Sequence, residues 1–180
     1  MKRNILIELL KAYFPVSKEE NKYKERMLDF VIKNKDCFER SLEVGHITAS
    51  AWLLNRDESC ALLMHHTKLN IWVQLGGHCD GDVNPLDVAI KEALEESGLS
   101  SVVPVQEKIF DIDIHAIPGN EIQKAHYHYD VRFLLKADKD EKIQRNHEAK
   151  ELRWFDKDRS KFPTNALSVT RMFDKWIVQS

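Results

Sequence analysis

Three glutamates, Glu92, Glu95 and Glu96, follow the glycines Gly76, Gly77 and Gly81 in the run LGGHCDGDVNPLDVAIKEALEESGL. On a helix, residues three and four apart share a face, so the three carboxylates project within an arc of roughly 100°. Like charges at these spacings repel and weaken an isolated helix, and the arrangement is unfavourable unless a cation occupies the face. Carboxylate oxygens suit hard divalent ions such as Mg²⁺ or Mn²⁺, which keep several waters and are commonly shared with substrate phosphates. The chemistry indicated is phosphate chemistry. The alternative is a solvated acidic face with Asp87, Lys91 and Glu95 in ordinary helical ion pairs.

The elements that must position these acids can be read from period and punctuation. A helix is expected over Leu86 to Ser97, because Asn84 can cap it, Pro85 fits the first turn and Gly98 stops it. Ahead of it, HITASAWLL and CALLMHH read as strands joined by the polar NRDES. Behind it, IFDIDIHAI and AHYHYDVRFLL alternate around a turn in PGNEIQK, and ELRWF is a last short strand. Apolar residues recur at helical spacing from about Ile5 to Tyr13 and from Lys18 to Asn34, with Pro15 between them, and NALSVTRMFDKWIV closes the chain as an amphipathic helix. Helices before and after a mixed sheet, with one helix inside it, give an α/β sandwich.

Composition narrows the class. A chain of 180 residues that is 43% hydrophobic holds one compact domain with a real core plus a modest extension, and is short for two domains. A net charge of −2 with mixed signs provides no basic stripe, which disfavours nucleic acid as a partner. No apolar run reaches about 18 residues, and MKRNILIELLKAYF is too short and amphipathic to span a membrane and lacks a small-residue cleavage site, so a cytoplasmic protein is expected. Cys37, Cys60 and Cys79 are odd in number and lack C-x-x-C spacing, which indicates neither a disulfide framework nor a zinc knuckle.

From Gly77 to Leu99 the chain resembles the Nudix box of the Nudix hydrolase superfamily, G-x5-E-x7-R-E-U-x-E-E-x-G-U with U aliphatic. Gly77, Glu92, Glu95, Glu96, Gly98 and Leu99 fall on its positions, and Ala93 stands for U. Strict spacing places Val83 where the loop glutamate belongs and Lys91 where the arginine belongs, although Asp82 can serve if the loop is one residue shorter. Trp72 ahead of the Gly76–Gly77 pair and Glu148 ahead of Trp154 extend the resemblance over about Gly45 to Ser180.

This resemblance implies a Nudix-type α/β/α sandwich with a mixed central sheet over residues 45–180, preceded by a helical extension over residues 1–44. It implies an enzyme acting on phosphoanhydride bonds, a metal-dependent pyrophosphohydrolase that cleaves a diphosphate linkage in a small-molecule substrate of nucleoside diphosphate-X type. Glu92, Glu95 and Glu96 would hold Mg²⁺ or Mn²⁺, and Glu95 or Glu148 would act as general base. Gly76, Gly77, His78 and Asp82 would form the phosphate loop, and Lys91 would brace that loop by pairing with Asp80 or Asp82. The alternatives are a Nudix-fold ligand-binding or regulatory module without turnover, and an enzyme like isopentenyl-diphosphate isomerase, a relative that also carries GGH.

Histidines form a second constellation. Alternation places Asp111, Asp113 and His115 on one face of their strand and His126, His128 and Asp130 on one face of the next. A hairpin between the two is expected to set His115 opposite His126 and Asp113 opposite His128. Such a patch could take a second metal or the distal part of a substrate, while the simpler reading is a polar sheet face with hydrogen-bonded histidines. Near the N-terminus, Ile5, Leu6, Leu9, Leu10 and Tyr13, then Met27, Leu28, Val31 and Ile32, form apolar stripes that need cover. They are expected to pack on the same chain near the strand that begins at His46, with a homodimer through these helices as the alternative.

Overall fold

The computed structural model describes residues 3–119, 121 and 124–178. Helices α1 (Asn4–Ala12) and α2 (Lys18–Lys33) lead into strands β1 (Gly45–Leu54), β2 (Ala61–His66), β3 (Trp72–Val73) and β4 (Leu75–His78). Helix α3 (Pro85–Ser97) follows, then β5 (Val102–Ile117), β6 (His126–Ala137), β7 (Ala149–Phe155) and, after a short 3₁₀ turn, α4 (Leu167–Val178). All the strands join one mixed sheet, in the order β3-β2-β1-β6-β5, with β4 paired to β1 and β7 to β2.

Strand β1 is the hub. It runs parallel to β6 from Gly45 opposite Tyr127 to Leu54 opposite Lys136. Its other edge is divided: β4 pairs with Thr48 to Ala51, and β2 with Leu53 and Leu54. The first residues of β1 therefore lie between β4 and β6, which are far apart in sequence.

The two faces of β1 differ. Ile47, Ala49, Ala51 and Leu53 point into the main core with α1, α2 and α3. The opposite face starts polar, with His46, Thr48 and Ser50, and ends apolar, with Trp52 and Leu54 packed against Val169, Met172, Phe173 and Trp176 of α4. Residues 2 apart along a strand share a face, so α4 covers only the apolar half of this one.

The N-terminal helices pack on their own chain. Leu6, Leu10, Met27 and Val31 are fully buried, each worth about 1.5–3 kcal/mol, and Phe30 stacks on Tyr129 of β6 at 3.9 Å. They lie over β5 and β6, and Tyr129, on which Phe30 stacks, stands opposite Ile47 near the start of β1. The reason is topological: β1 is central and α3 already covers its apolar face, whereas the apolar face of the edge strand β5 would otherwise be bare. Ser17 caps α2 by accepting from the Glu20 N–H at 3.1 Å.

The β5–β6 hairpin differs from expectation by two residues. His128, not His126, lies opposite His115, Asp130 lies opposite Asp113, and His126 pairs with Ile117. A shift of two preserves the faces, so the alternation pattern could not have detected it. The turn PGNEIQK that sets the register includes residues 120, 122 and 123, which lie outside the described residues.

Candidate active site

Helix α3 presents the acids. Pro85 opens it and Gly98 closes it in the left-handed region (φ 69°), donating its N–H to Leu94 at 2.9 Å. Asn84 does not cap through its side chain as expected; its amide donates to Asp87 instead, at 2.6 Å. Val88, Ala89 and Ala93 turn into the core, and the small alanines let the helix approach β1 and β4 closely.

The acid face then meets the β4 backbone. A Cβ on Gly77 would stand 2.5 Å from the Glu92 carboxyl carbon, so a side chain here would displace the Glu92 carboxylate from the β4 backbone. One residue earlier, the Gly76 N–H donates to Glu96 Oε2 at 2.8 Å. Glu96 is only 3% exposed. Burial pushes its carboxyl up; the Gly76 N–H opposes this, and the charges of Glu92, Glu148 and Glu95 add to it, raising it to about 8. Burial also raises Glu92, with Lys91 opposing and Glu95 and Glu148 adding to the shift. Glu148, from the connection before β7, thus faces the same acids; its carbonyl accepts from the Thr67 N–H at 2.8 Å.

Glu92, Glu95, Glu96 and Glu148 act on one another electrostatically, and against them stand the Gly76 N–H, the loosely placed Lys91 and, beyond direct contact, the Arg40 guanidinium. Hard, anionic oxygen donors of this kind suit Mg²⁺ or Mn²⁺. Lys91 does not brace the loop. Its ammonium is 3.8 Å from Glu95 and 3.9 Å from Glu92, and its side chain is 64% exposed. Asp80 instead takes a bidentate pair from Arg40, whose Nη2 donates at 2.6 Å. Asp82 turns back to accept from the Asn84 N–H at 3.0 Å. Arg40 lies in the α2–β1 connection, beyond the box, and no spacing in the sequence pointed to it. Cys79 is buried, and burial pushes its thiol above the ordinary range, which leaves it unreactive.

His78 belongs to a different set. Successive side chains on β4 alternate, so His78 projects to the face opposite the one on which Gly77 meets Glu92. There it joins His46 of β1 and His128 of β6, one ligand-type atom from each lying within 4.8 Å of the others. His126 and His115 stand alongside, with ring centroids 5.2 and 5.4 Å from that of His128. Burial lowers His46 to about 4 and His128 to about 2, each helped by neighbouring histidines, and it lowers His78 as well. His46, His78 and His128 are therefore neutral near pH 7. Sequence alternation grouped His115, His126 and His128 but missed His46, which only the parallel β1–β6 register brings opposite His128.

Comparison with known proteins adds to this geometry. The NUDIX domain family matches residues 45–175. A probable DHNTP pyrophosphohydrolase of Lactococcus lactis subsp. cremoris (strain MG1363) is 31% identical over 97 residues, which is 53% of this chain and 56% of that protein. The chain thus spans little more than half the length of that curated relative. Among solved structures, a C. elegans Ap4A hydrolase binary complex is similar at a TM-score of 0.59 and 14% identity, over 74% of this chain and 96% of the other. A UDP-X diphosphatase is similar at a TM-score of 0.54 and 12% identity, over 98% of this chain and 92% of the other, a span that takes in α1 and α2. At these identities the likeness to solved structures shows the fold: a mixed sheet between helices.

Proposed function

The chain belongs to the Nudix family, and from that premise we propose that it is a divalent-metal-dependent pyrophosphohydrolase, cleaving a diphosphate linkage in a small molecule of nucleoside diphosphate-X type. The observation that carries the reading is the seating of Gly76 and Gly77 directly on Glu92 and Glu96, which brings a glycine-loop backbone and carboxylates to one place. The names of similar proteins, a pyrophosphohydrolase, a diphosphatase and an Ap4A hydrolase, support the same reaction class.

Glu92, Glu95 and Glu96 would hold Mg²⁺ or Mn²⁺, which when bound neutralises phosphate oxygens and acidifies a water. The remaining work falls to the chain. Gly76 fixes the Glu96 carboxylate through its N–H, so that this acid is oriented before any ligand arrives. Glu148 comes from a separate element and faces Glu92 and Glu96; we assign its carboxylate to accept the proton of the attacking water, with Glu95 as the second candidate. Arg40 holds Asp80 and with it the turn after β4, so the loop that meets the phosphates is tied to the α2–β1 connection.

The test is a hydrolysis screen with Mg²⁺ and Mn²⁺ over nucleoside diphosphate sugars, dinucleoside polyphosphates, nucleoside triphosphates and non-nucleotide diphosphates. Glu96→Gln keeps the size of the side chain and removes its charge. It should lower the rate on the best substrate by on the order of 10²-fold or more and weaken Mn²⁺ binding in calorimetry. Wild-type turnover together with unchanged Mn²⁺ affinity would overturn the assignment.

A further inference from the structure

We infer that His46, His78 and His128 form a second metal site, for a borderline transition-metal ion of the Zn²⁺ class, separate from the glutamate cluster. Three strands supply the ligands. Ring centroids of His46 lie 5.1 Å from His78 and 4.8 Å from His128, and those of His78 and His128 are 4.9 Å apart. A mutual spacing of ligand atoms up to 4.8 Å is wider than the roughly 3.3 Å that tetrahedral ligation at about 2.05 Å needs. Closing the difference would fall to the side-chain torsions, chiefly those of the partly buried His78 and His128.

Burial and pairing distinguish this cluster from a polar sheet face. His46 is 1% exposed, and neither of its ring nitrogens has a hydrogen-bond partner among the described residues. Buried polar atoms are nearly always paired, and an orphan calls for a ligand or a function. The next polar residues along the same face are not orphaned: Asp130 accepts from Thr48 at 3.0 Å, from Ser50 at 2.8 Å and from Arg132 at 2.7 Å. The chain thus satisfies the acid one step along β6 and leaves the imidazole at the start of β1 without a partner.

The surroundings suit a metal. His126 Nδ1 is 2.9 Å from the Lys124 carbonyl, which fixes its ring with Nε2 3.4 Å from His128 Nε2. His115 Nδ1 is 3.2 Å from Asp113 Oδ2. Such outer hydrogen bonds orient rings and set tautomers around metal ligands. Three imidazoles without a carboxylate among them favour Zn²⁺, Co²⁺ or Ni²⁺ over Mg²⁺, so the two sites would select different ions. His78 and His128 are only partly buried, so the cluster opens to solvent, where water or a ligand can complete the coordination. The inference does not rest on the hydrolase reading.

The experiment uses the full chain without a histidine tag, stripped by chelator and titrated with Co²⁺ as a spectroscopic probe and Zn²⁺ in equilibrium dialysis. Ligand-field bands from imidazole-bound Co²⁺ are expected, with one equivalent of Zn²⁺ retained by the Glu92→Gln/Glu96→Gln double variant and any further equivalent in the unmutated chain assigned to the glutamates. His78→Gln and His128→Gln, at partly exposed positions and checked for folding by circular dichroism, should each weaken Zn²⁺ binding about tenfold or more. Absence of Co²⁺ bands, unchanged affinity in both histidine variants, or loss of binding in the glutamate double variant would each overturn the site.

Discussion

Two groups of buried acids in this molecule face opposite fates. On α3, Glu92 and Glu96 are raised, Glu96 to about 8, because burial and neighbouring carboxylates disfavour charge. On β5, burial pushes Asp111 and Asp113 up as well, yet both end below the usual carboxylate range. For Asp111 the opposing groups are Arg171, Arg132 and Lys175; for Asp113 they are His115, Arg132 and Arg171. Asp111 accepts from Lys175 at 2.6 Å, Arg171 at 2.8 Å and Arg132 at 3.0 Å. The β5 group carries its own cations and serves the fold. The α3 group has only an exposed lysine at 3.8–3.9 Å and the Arg40 guanidinium beyond direct contact, and no cation hydrogen-bonded to Glu92 or Glu96, which is the arrangement expected where a further cation comes from solution.

The largest effect expected comes from removing residues 1–41. That deletion strips Leu6, Leu10, Met27, Phe30 and Val31 from the core, and it takes Glu20 and Tyr13 away from Lys175, whose ammonium lies 2.9 and 2.8 Å from them. The truncated chain should aggregate. If it stays soluble, monomeric and as heat-stable as the full chain, the helices are a detachable appendage and the β5 group does not depend on them.

Asp111→Asn tests the paired group directly. It would leave Arg132 with Asp130, Arg171 with Asp113 and Lys175 with Glu20, so that three cations share one carboxylate fewer around a buried neutral amide. Breaking a buried ion pair from one side typically destabilises by about 3–5 kcal/mol, and a urea melt should show a loss of that order. A loss under about 1 kcal/mol would mean that the network relaxes by admitting water, and the contrast with α3 would weaken.

Acid dependence separates the groups by sign. Asp111 and Asp113 have depressed folded values, so their stabilisation is present above about pH 4 and is lost only as pH falls below the ordinary carboxylate range. Glu96 has a raised folded value, so its contribution is fully present below its unfolded value and is lost as pH rises toward about 8. Below pH 6.5 the lowered histidines pull in the other direction. The clean window is therefore pH 6.5 to 8. There the metal-free protein should lose stability with rising pH at up to about 1.4 kcal/mol per unit from this one group, and Glu96→Gln should flatten the slope. An unchanged slope in the variant would mean that Glu96 ionises normally.

What could be read in advance follows physical locality. The ends of α3 were legible because Pro85 and Gly98 are local backbone constraints, and the shared face of Glu92, Glu95 and Glu96 because helical period is local too. Parallel pairing across a long crossover leaves no local mark, so His46 could not be matched with His128. The two-residue slip of the β5–β6 hairpin was invisible for the related reason that it keeps every side chain on its face. Arg40 escaped because a bidentate ion pair between two loops has no spacing rule, and the box pattern itself drew attention to Lys91 instead.

Lys91 therefore gives the smallest effect and a sharp check on that correction. Were it the brace of the phosphate loop, Lys91→Met would free the turn after β4 and cost stability and activity together. The observed lysine is loosely placed between Glu92 and Glu95, and the Glu95 carboxylate beside it is 57% exposed. Exposed pairs at this spacing are worth about 0.3–0.5 kcal/mol, and losing this cation leaves slightly more repulsion between Glu92 and Glu95. Lys91→Met should thus shift the urea midpoint almost imperceptibly, whereas Arg40→Met, which removes both hydrogen bonds to Asp80, should shift it more. If the two variants ranked the other way, the loop would be held from α3 after all, and the geometry of the Arg40–Asp80 pair would be incidental.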